Sequence, residues 1–335
     1  MSMDYQVAIV GAGPAGLAAA LTLSRSMMHS VVIDSGRPPR NASSPFVASL
    51  PGFDKTPPAD MREAVRRNIL AYPYAEFLEA EVEGIQRMQK GFELSIGEDR
   101  KLSAGSILLA TGMQDVLPPL EGLNACWGRS IINCPFCHGI EWQNTRWGIY
   151  AHRPEVVGAA EIYRNWTNQL TYFLAPEVSP AADRQKRLQQ LCASIETDLP
   201  TRVHHDNGAI THAETPDERL IELDCLLIYP HQTQTSLVSG LNLALTDAGY
   251  VEVDEGFRTS EAGLYAAGDL VYPGHQNTPT GFHMGNMAAA TIVMDICFGT
   301  LSCFQNAQPI LQKTHLGSSR WHSRSHFVSA ERSKT

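Results

Sequence analysis

The hexapeptide Gly11-Ala12-Gly13-Pro14-Ala15-Gly16 separates a short, mostly apolar run, Tyr5–Val10, from an Ala/Leu-rich stretch that continues to about Ser26. The first run reads as a buried strand and the second as a helix. Glycines at the first, third and sixth positions let the N–H groups at the helix start approach a pyrophosphate with no Cβ in the way. Ser30–Ile33 then returns as a second strand ending at Asp34, 18 positions after Gly16, where a carboxylate can accept the hydroxyls of a ribose. Alone, a GxGxxG predicts only a glycine-rich turn. With strand, helix and acid in place it predicts a dinucleotide-binding βαβ unit.

The 335 residues leave room for two domains at roughly 100–200 residues each. With 43% hydrophobic and 18% charged residues, the chain falls in the globular range, which excludes a disordered chain, a collagen and a coiled coil. The formal charge of −9 gives nothing to neutralise a phosphate backbone, so no nucleic-acid partner is expected. Val7–Leu23 carries no charge, but Asp4 precedes it and glycines and a proline interrupt it. That pattern fits neither a signal peptide nor a membrane span, and a soluble cytoplasmic protein is expected. Seven scattered cysteines do not make a secreted disulfide framework.

Beyond the first unit, residues 37–58 are rich in Pro, Ser, Gly and Asn and read as a long ordered loop. A helix over about Ala59–Ala71 follows, then an antiparallel meander from Phe77 to Leu102 and an apolar strand, Gly105–Ala110. A Pro-rich linker at Leu117–Leu120 opens a second βαβ-like region. It contains strand Trp147–Tyr150, a helix near Glu155–Trp166, strand Leu170–Leu174, a helix near Asp183–Ser194 and a strand ending at Leu226–Tyr229. Glu252–Asp269 returns to strand and turn character, Gly281–Phe298 reads as a closing helix, and residues 316–335 read as a mobile tail. The expected fold is therefore α/β, with two Rossmann-like, three-layer domains, the second (117–246) inserted into the first (1–116 and 247–315).

Cys134-Pro135-Phe136-Cys137-His138-Gly139 carries the chemistry. Thiols at i and i+3 can form a small-ring disulfide, proline suits the first helical turn, and the helix N-terminus can stabilise the leading thiolate. A zinc half-site competes, but no second CxxC and no histidine pair at ligand spacing accompanies it, so no metal is expected. A purely structural disulfide in a flavin-binding sensor or scaffold remains a rival of a different class.

Over about residues 3–300 the chain resembles the low-molecular-weight thioredoxin reductase family in motif order and in the placement of the CxxC. Ile107–Gly112 (ILLATG), with Thr111 and Gly112, and Gly263–Asp269, with Gly268 and Asp269, resemble the second and third fingerprints of such flavoproteins. The resemblance implies FAD, with Asp269 against its ribityl–pyrophosphate region. It implies a homodimer, Cys137 facing the flavin, and Cys134 exchanging with a thioredoxin-like protein or a small dithiol. His138 stands where the family usually has an acid and can take a thiol proton and return it, although a helix-capping or merely solvated ring is the plainer alternative. Tyr272–Gly285 occupies the place of the family's contact to the flavin pyrimidine ring, where His275, Gln276 and Asn277 could serve; His283 is a candidate near the disulfide.

The chain departs from the family in the second unit. Where the family has GxGxxA for NADPH, Ala151-His152-Arg153-Pro154-Glu155-Val156 offers bulk and an acid, and no basic cluster follows Leu174. NADPH use is therefore not expected, while His152 and Arg153 leave another phosphate-bearing ligand open. Two offshoots of the family share this feature. The gliotoxin-type dithiol oxidases resemble this chain in CPFCHG and in the loop Arg40-Asn41-Ala42, and they pass electrons to oxygen. The pyridine-nucleotide-independent reductases use ferredoxin or a second bound flavin. Trp142, Trp147, Trp166, Tyr150 and Tyr163 are candidates to stack on a ring in the vacated site, though core packing is the commoner fate of such residues. An atypical NADPH-dependent thioredoxin reductase stays as a further alternative.

Overall fold

In a computed structural model the structure describes residues 3–97, 100–191 and 194–299. The expected tail from Leu316, the end of the first domain at 315, Cys192 and Cys303 lie outside the described residues. The first strand, β1 (Tyr5–Val10), leads through the glycine turn into α1 (Pro14–Arg25), and β2 (Ser30–Asp34) pairs parallel with β1. Helix α2 (Pro58–Leu70) carries the chain to β3 (Ala75–Glu79), followed by β4 (Val82–Arg87), β5 (Phe92–Ile96) and the long β6 (Arg100–Leu109). Among the described residues the sheet order is β3-β2-β1-β6-β5-β4.

Ala75–Glu79 pairs parallel with β2, so the meander is confined to β4, β5 and β6. The reason is connectivity: a helical crossover returns a strand parallel to its neighbour, whereas tight turns return it antiparallel. The alternating patch expected at Lys101–Leu102 and the apolar strand expected at Gly105–Ala110 are one strand. Its first half pairs with β5 and its second half with a late strand at Leu264–Ala266.

Crossing from the first sheet, the chain passes β7 (Gln114–Val116), α3 (Leu123–Cys126), β8 (Ile131–Ile132), α4 (Pro135–His138) and a 3-10 turn at Gly139–Trp142. Next come β9 (Arg146–Ala151), α5 (Pro154–Val157), α6 (Ala160–Tyr163), β10 (Gln169–Leu174), α7 (Ala182–Leu191) and β11 (Ser194–Glu196). An antiparallel trio follows, β12 (Arg202–Asp206), β13 (Ala209–Glu214) and β14 (Leu220–Glu222), before β15 (Cys225–Leu227). The parallel order β11-β10-β9-β15-β8 forms a second sheet with helices on one face and the antiparallel trio on the other. The helix expected over Glu155–Trp166 is broken into α5 and α6. Gly158 closes α5, and Val156, Val157, Ala160 and Tyr163 still turn inward.

The return strand β16 (His231–Thr233) pairs antiparallel with β7, forming a two-stranded ribbon between the sheets. Helix α8 (Ser236–Ser239), β17 (Leu264–Ala266) and α9 (Thr278–Cys297) complete the first lobe, in whose core Val238, Leu243 and Tyr250 already pack. One face of the first sheet is covered by α1, α2 and α9, through Leu17, Leu23, Met61, Ile69, Ala288 and Ile292 against Val7 and Ile9. Both lobes are thus layered α/β units of Rossmann type. No helix among the described residues is long and apolar enough to cross a membrane.

Candidate functional site

The glycine turn sits where backbone approaches leave no room for side chains. Gly11 has φ +106°, and a Cβ there would lie 2.4 Å from the Ala110 carbonyl oxygen; at Gly16 it would lie 1.9 Å from the Gly11 carbonyl oxygen. Gly16 thus lets α1 start against the end of β1, while Gly13 has open space around it. Asp34 holds the turn from the next strand. Its Oδ2 accepts the Ala12 N–H at 2.6 Å and its Oδ1 the Gly36 N–H at 3.0 Å, with the Arg62 guanidinium 3.7 Å away. A carboxylate has further lone pairs, so these bonds leave acceptor capacity for a ribose.

The turn opens onto a cavity of about 650 Å³. Its walls include Gly11, Gly13, Pro14, Ala15, Asp34, Asn41, Thr111, Gly112, Gly268, Asp269, Gln276 and Asn277, together with Cys134, Cys137 and His138. Gly16 packs behind the turn, and His283 does not line the cavity. A backbone nest at a helix start, an acid at the next strand end and an adjoining long cavity fit FAD. Asn277 caps α9, its Oδ1 accepting the Thr280 N–H at 2.9 Å, so this helix also begins at the cavity wall.

Cys134 and Cys137 are disulfide-bonded, with Cα atoms 5.3 Å apart. Pro135 starts α4 and Cys134 caps it, its sulfur accepting the Cys137 N–H at 3.2 Å. That donor and the helix N-terminus would favour a thiolate at Cys134 after reduction. On the outer side Phe136 is 57% exposed. Its ring meets Trp166 edge-on at 5.5 Å and lies 6.0 Å from His275, which places that histidine against an aromatic ring rather than at the cavity. His138 is half-buried, and burial lowers its pKa below the usual imidazole value, opposed by the charge of Glu141. Its Nε2 lies 3.1 Å from Ser44 Oγ, and its ring packs against Phe46.

Sequence reasoning did not mark Arg40 and Ser44 as site residues. Arg40 donates to Asp115 at 2.8 Å, to Asp269 at 3.2 Å and to Gln276 Oε1 at 2.7 Å. Burial pushes the Asp269 carboxyl up, against the pull of Arg40. Gln276 is further bonded to Gln232, which bonds Asp115 and accepts from Tyr250. Its carboxamide is therefore committed to this network. For Ser44 the sequence signal was its place in a long loop beside the first βαβ unit; for Arg40 it was that place and the resemblance carried by Arg40-Asn41-Ala42, neither of which assigns a role.

The turn after β9 is different. Arg153 precedes Pro154, which begins the one-turn α5, and Glu155 lies in its first turn. The Tyr150 carbonyl and ring flank His152. No basic residue stands between Leu174 and Asp183, and Arg184 is engaged with Glu161 and the Val157 carbonyl. These residues do not fit the pyrophosphate and 2′-phosphate of NADPH. Trp147, Tyr163 and Tyr150 are buried in the second lobe, with Trp147 stacked on Trp166. They serve as core and offer no free ring face.

Two Rossmann-like lobes, with a disulfide and a glycine nest in one cavity, are the architecture of a flavin-dependent disulfide oxidoreductase. Residues 5–285 match the family described as pyridine nucleotide-disulphide oxidoreductase, and the chain belongs to that family. Its members are typically FAD-binding. Thioredoxin reductase aclD of Aspergillus oryzae is 30% identical over 313 residues, 88% of this chain and 97% of that protein. Thioredoxin reductase tcpT of Claviceps purpurea is 36% identical over 149 residues, a match spanning only 44% of this chain and 46% of that one. The crystal structure of an oxidoreductase from Agrobacterium tumefaciens superposes with a TM-score of 0.81 at 28% identity, covering 88% of this chain and 99% of the other.

Proposed function

We propose that the chain is an FAD-dependent thiol–disulfide oxidoreductase of thioredoxin reductase type that works without NAD(P)H, cycling Cys134 and Cys137 between disulfide and dithiol. The observation that carries this function is the disulfide's position in the wall of the glycine-lined cavity. The independence from NAD(P)H is supported by the turn after β9, where His152, Arg153, Pro154 and the acid Glu155 stand in place of the small residues of a pyrophosphate nest. Gly11, Gly13, Pro14, Ala15, Asp34, Asn41, Thr111, Gly112, Gly268 and Asp269 would hold FAD, which when bound supplies a two-electron carrier in that cavity.

A partner thiol gives its proton to His138, and the resulting thiolate attacks Cys134 Sγ. The Cys134–Cys137 bond breaks, Cys137 leaves as the thiolate, and it can be reprotonated by the imidazolium. The partner's second thiol then resolves the mixed disulfide. The partner loses two electrons and the protein disulfide gains them, with no net proton change. Electrons pass onward to ferredoxin, a second flavin or oxygen. Of the candidate stacking rings Trp147, Tyr150 and Tyr163 are buried, while Trp142 and Trp166 keep partial exposure, which leaves the second flavin the least supported of these. With oxygen the enzyme is a dithiol oxidase forming hydrogen peroxide.

The Cys134→Ser and Cys137→Ser variants should stay yellow and lose turnover with a dithiol. Unchanged turnover in either would overturn the assignment. The flavin-to-chain ratio of released cofactor separates one FAD from two.

A further inference from the structure

We propose that Ser44 is a positioning residue for His138, holding the ring as the Nε2–H tautomer so that Nδ1 is the atom that accepts a thiol proton. This builds on the role of His138 as proton shuttle given above. Ser44 Oγ lies 2.8 Å from the Phe46 carbonyl oxygen and 3.1 Å from His138 Nε2. A carbonyl oxygen only accepts, so the single hydroxyl proton goes to Phe46, and the hydroxyl lone pair accepts from Nε2–H. The reverse assignment would take this donor from the Phe46 carbonyl. The Phe46 ring is centred 5.2 Å from the imidazole. Ser44 and Phe46 belong to the loop of the first lobe and His138 to α4 of the second, so the tautomer is set by the contact between lobes. The charged groups about the ring are Glu141, in the turn after α4, and Lys55, on the facing loop and 3.8 Å from Glu141. In the step itself, the thiol S–H proton moves to Nδ1, the sulfur keeps the electron pair, and the imidazolium later returns the proton to the departing sulfur.

The test uses the FAD-loaded protein without oxygen and follows bleaching of the flavin by dithiothreitol from pH 5 to 9. Ser44→Ala should slow bleaching roughly tenfold across the plateau, and Ser44→Thr, which keeps the hydroxyl, should restore it to within about threefold of the parent. Long-range 1H–15N histidine spectra, with the His138 signal identified by its loss in His138→Gln, should show the Nε2–H form in the parent and a tautomer mixture in Ser44→Ala. The spectra need no turnover and can be read with or without FAD. If Ser44→Ala leaves the tautomer and rate profile unchanged while His138→Gln is slow, the role of Ser44 is refuted and that of His138 stands. If His138→Gln bleaches at the full rate, both roles fall.

Discussion

Individual residues set the chemistry through their surroundings. Burial lowers the His138 pKa, and in the proposed proton-shuttle role the ring takes a thiol proton only while neutral. Falling pH protonates it below the ordinary value of about 6.5. The acid limb of dithiol-driven flavin bleaching should therefore lie below that pH, and His138→Gln should abolish this limb; a limb unchanged in that variant would assign it to another group. The cysteine pair and the histidine after it were legible because a CxxC with proline is a local pattern. Ser44 and Arg40 were not, because their meaning lies in contacts with His138, 94 positions away, and Asp269, 229 positions away. The aromatic residues of the second unit were ambiguous for the same reason: spacing does not tell a ring in a wall from one in a core.

At the level of elements, the turn from β1 to α1 combines a left-handed glycine with a close approach, and both were implicit in the Gly11–Gly16 pattern. Gly11→Ala places a Cβ 2.4 Å from the Ala110 carbonyl oxygen at φ +106°. It should yield protein with little bound FAD, read as lost absorbance near 450 nm per chain. Gly52→Ala has a comparable strain at φ +85° but nothing within 4 Å, so it should cost about 1 kcal/mol and keep its flavin. Equal flavin content in the two would mean that the turn is not the cradle. Apolar runs and glycine punctuation made β1, α1 and β9 readable. The parallel placement of β3 and the break between α5 and α6 were not, since pairing partners and tertiary packing decide them.

For the whole molecule, the ribbon of β7 and β16 joins the lobes, and Asp115 and Gln232, partners across it, are tied to Arg40, Asp269 and Gln276 of the first lobe. Arg40→Met leaves two carboxylates, Asp115 and Asp269, facing one another without their cation. Because the Arg40 side chain keeps 21% of its exposure, the loss should be about 1–3 kcal/mol, measured by urea unfolding of the FAD-loaded protein. A change within error would show the network to be dispensable. The two-lobed α/β plan was legible from repeated βαβ patterns, whereas the meeting of disulfide and glycine nest in one cavity depends on how the lobes pack. The most direct test of the enzyme as a thiol-driven flavoprotein is anaerobic stopped-flow reduction of the bound flavin by dithiothreitol and, separately, by NADPH. Bleaching by the dithiol with no fast bleaching by NADPH is the predicted result; rapid bleaching by NADPH would contradict it.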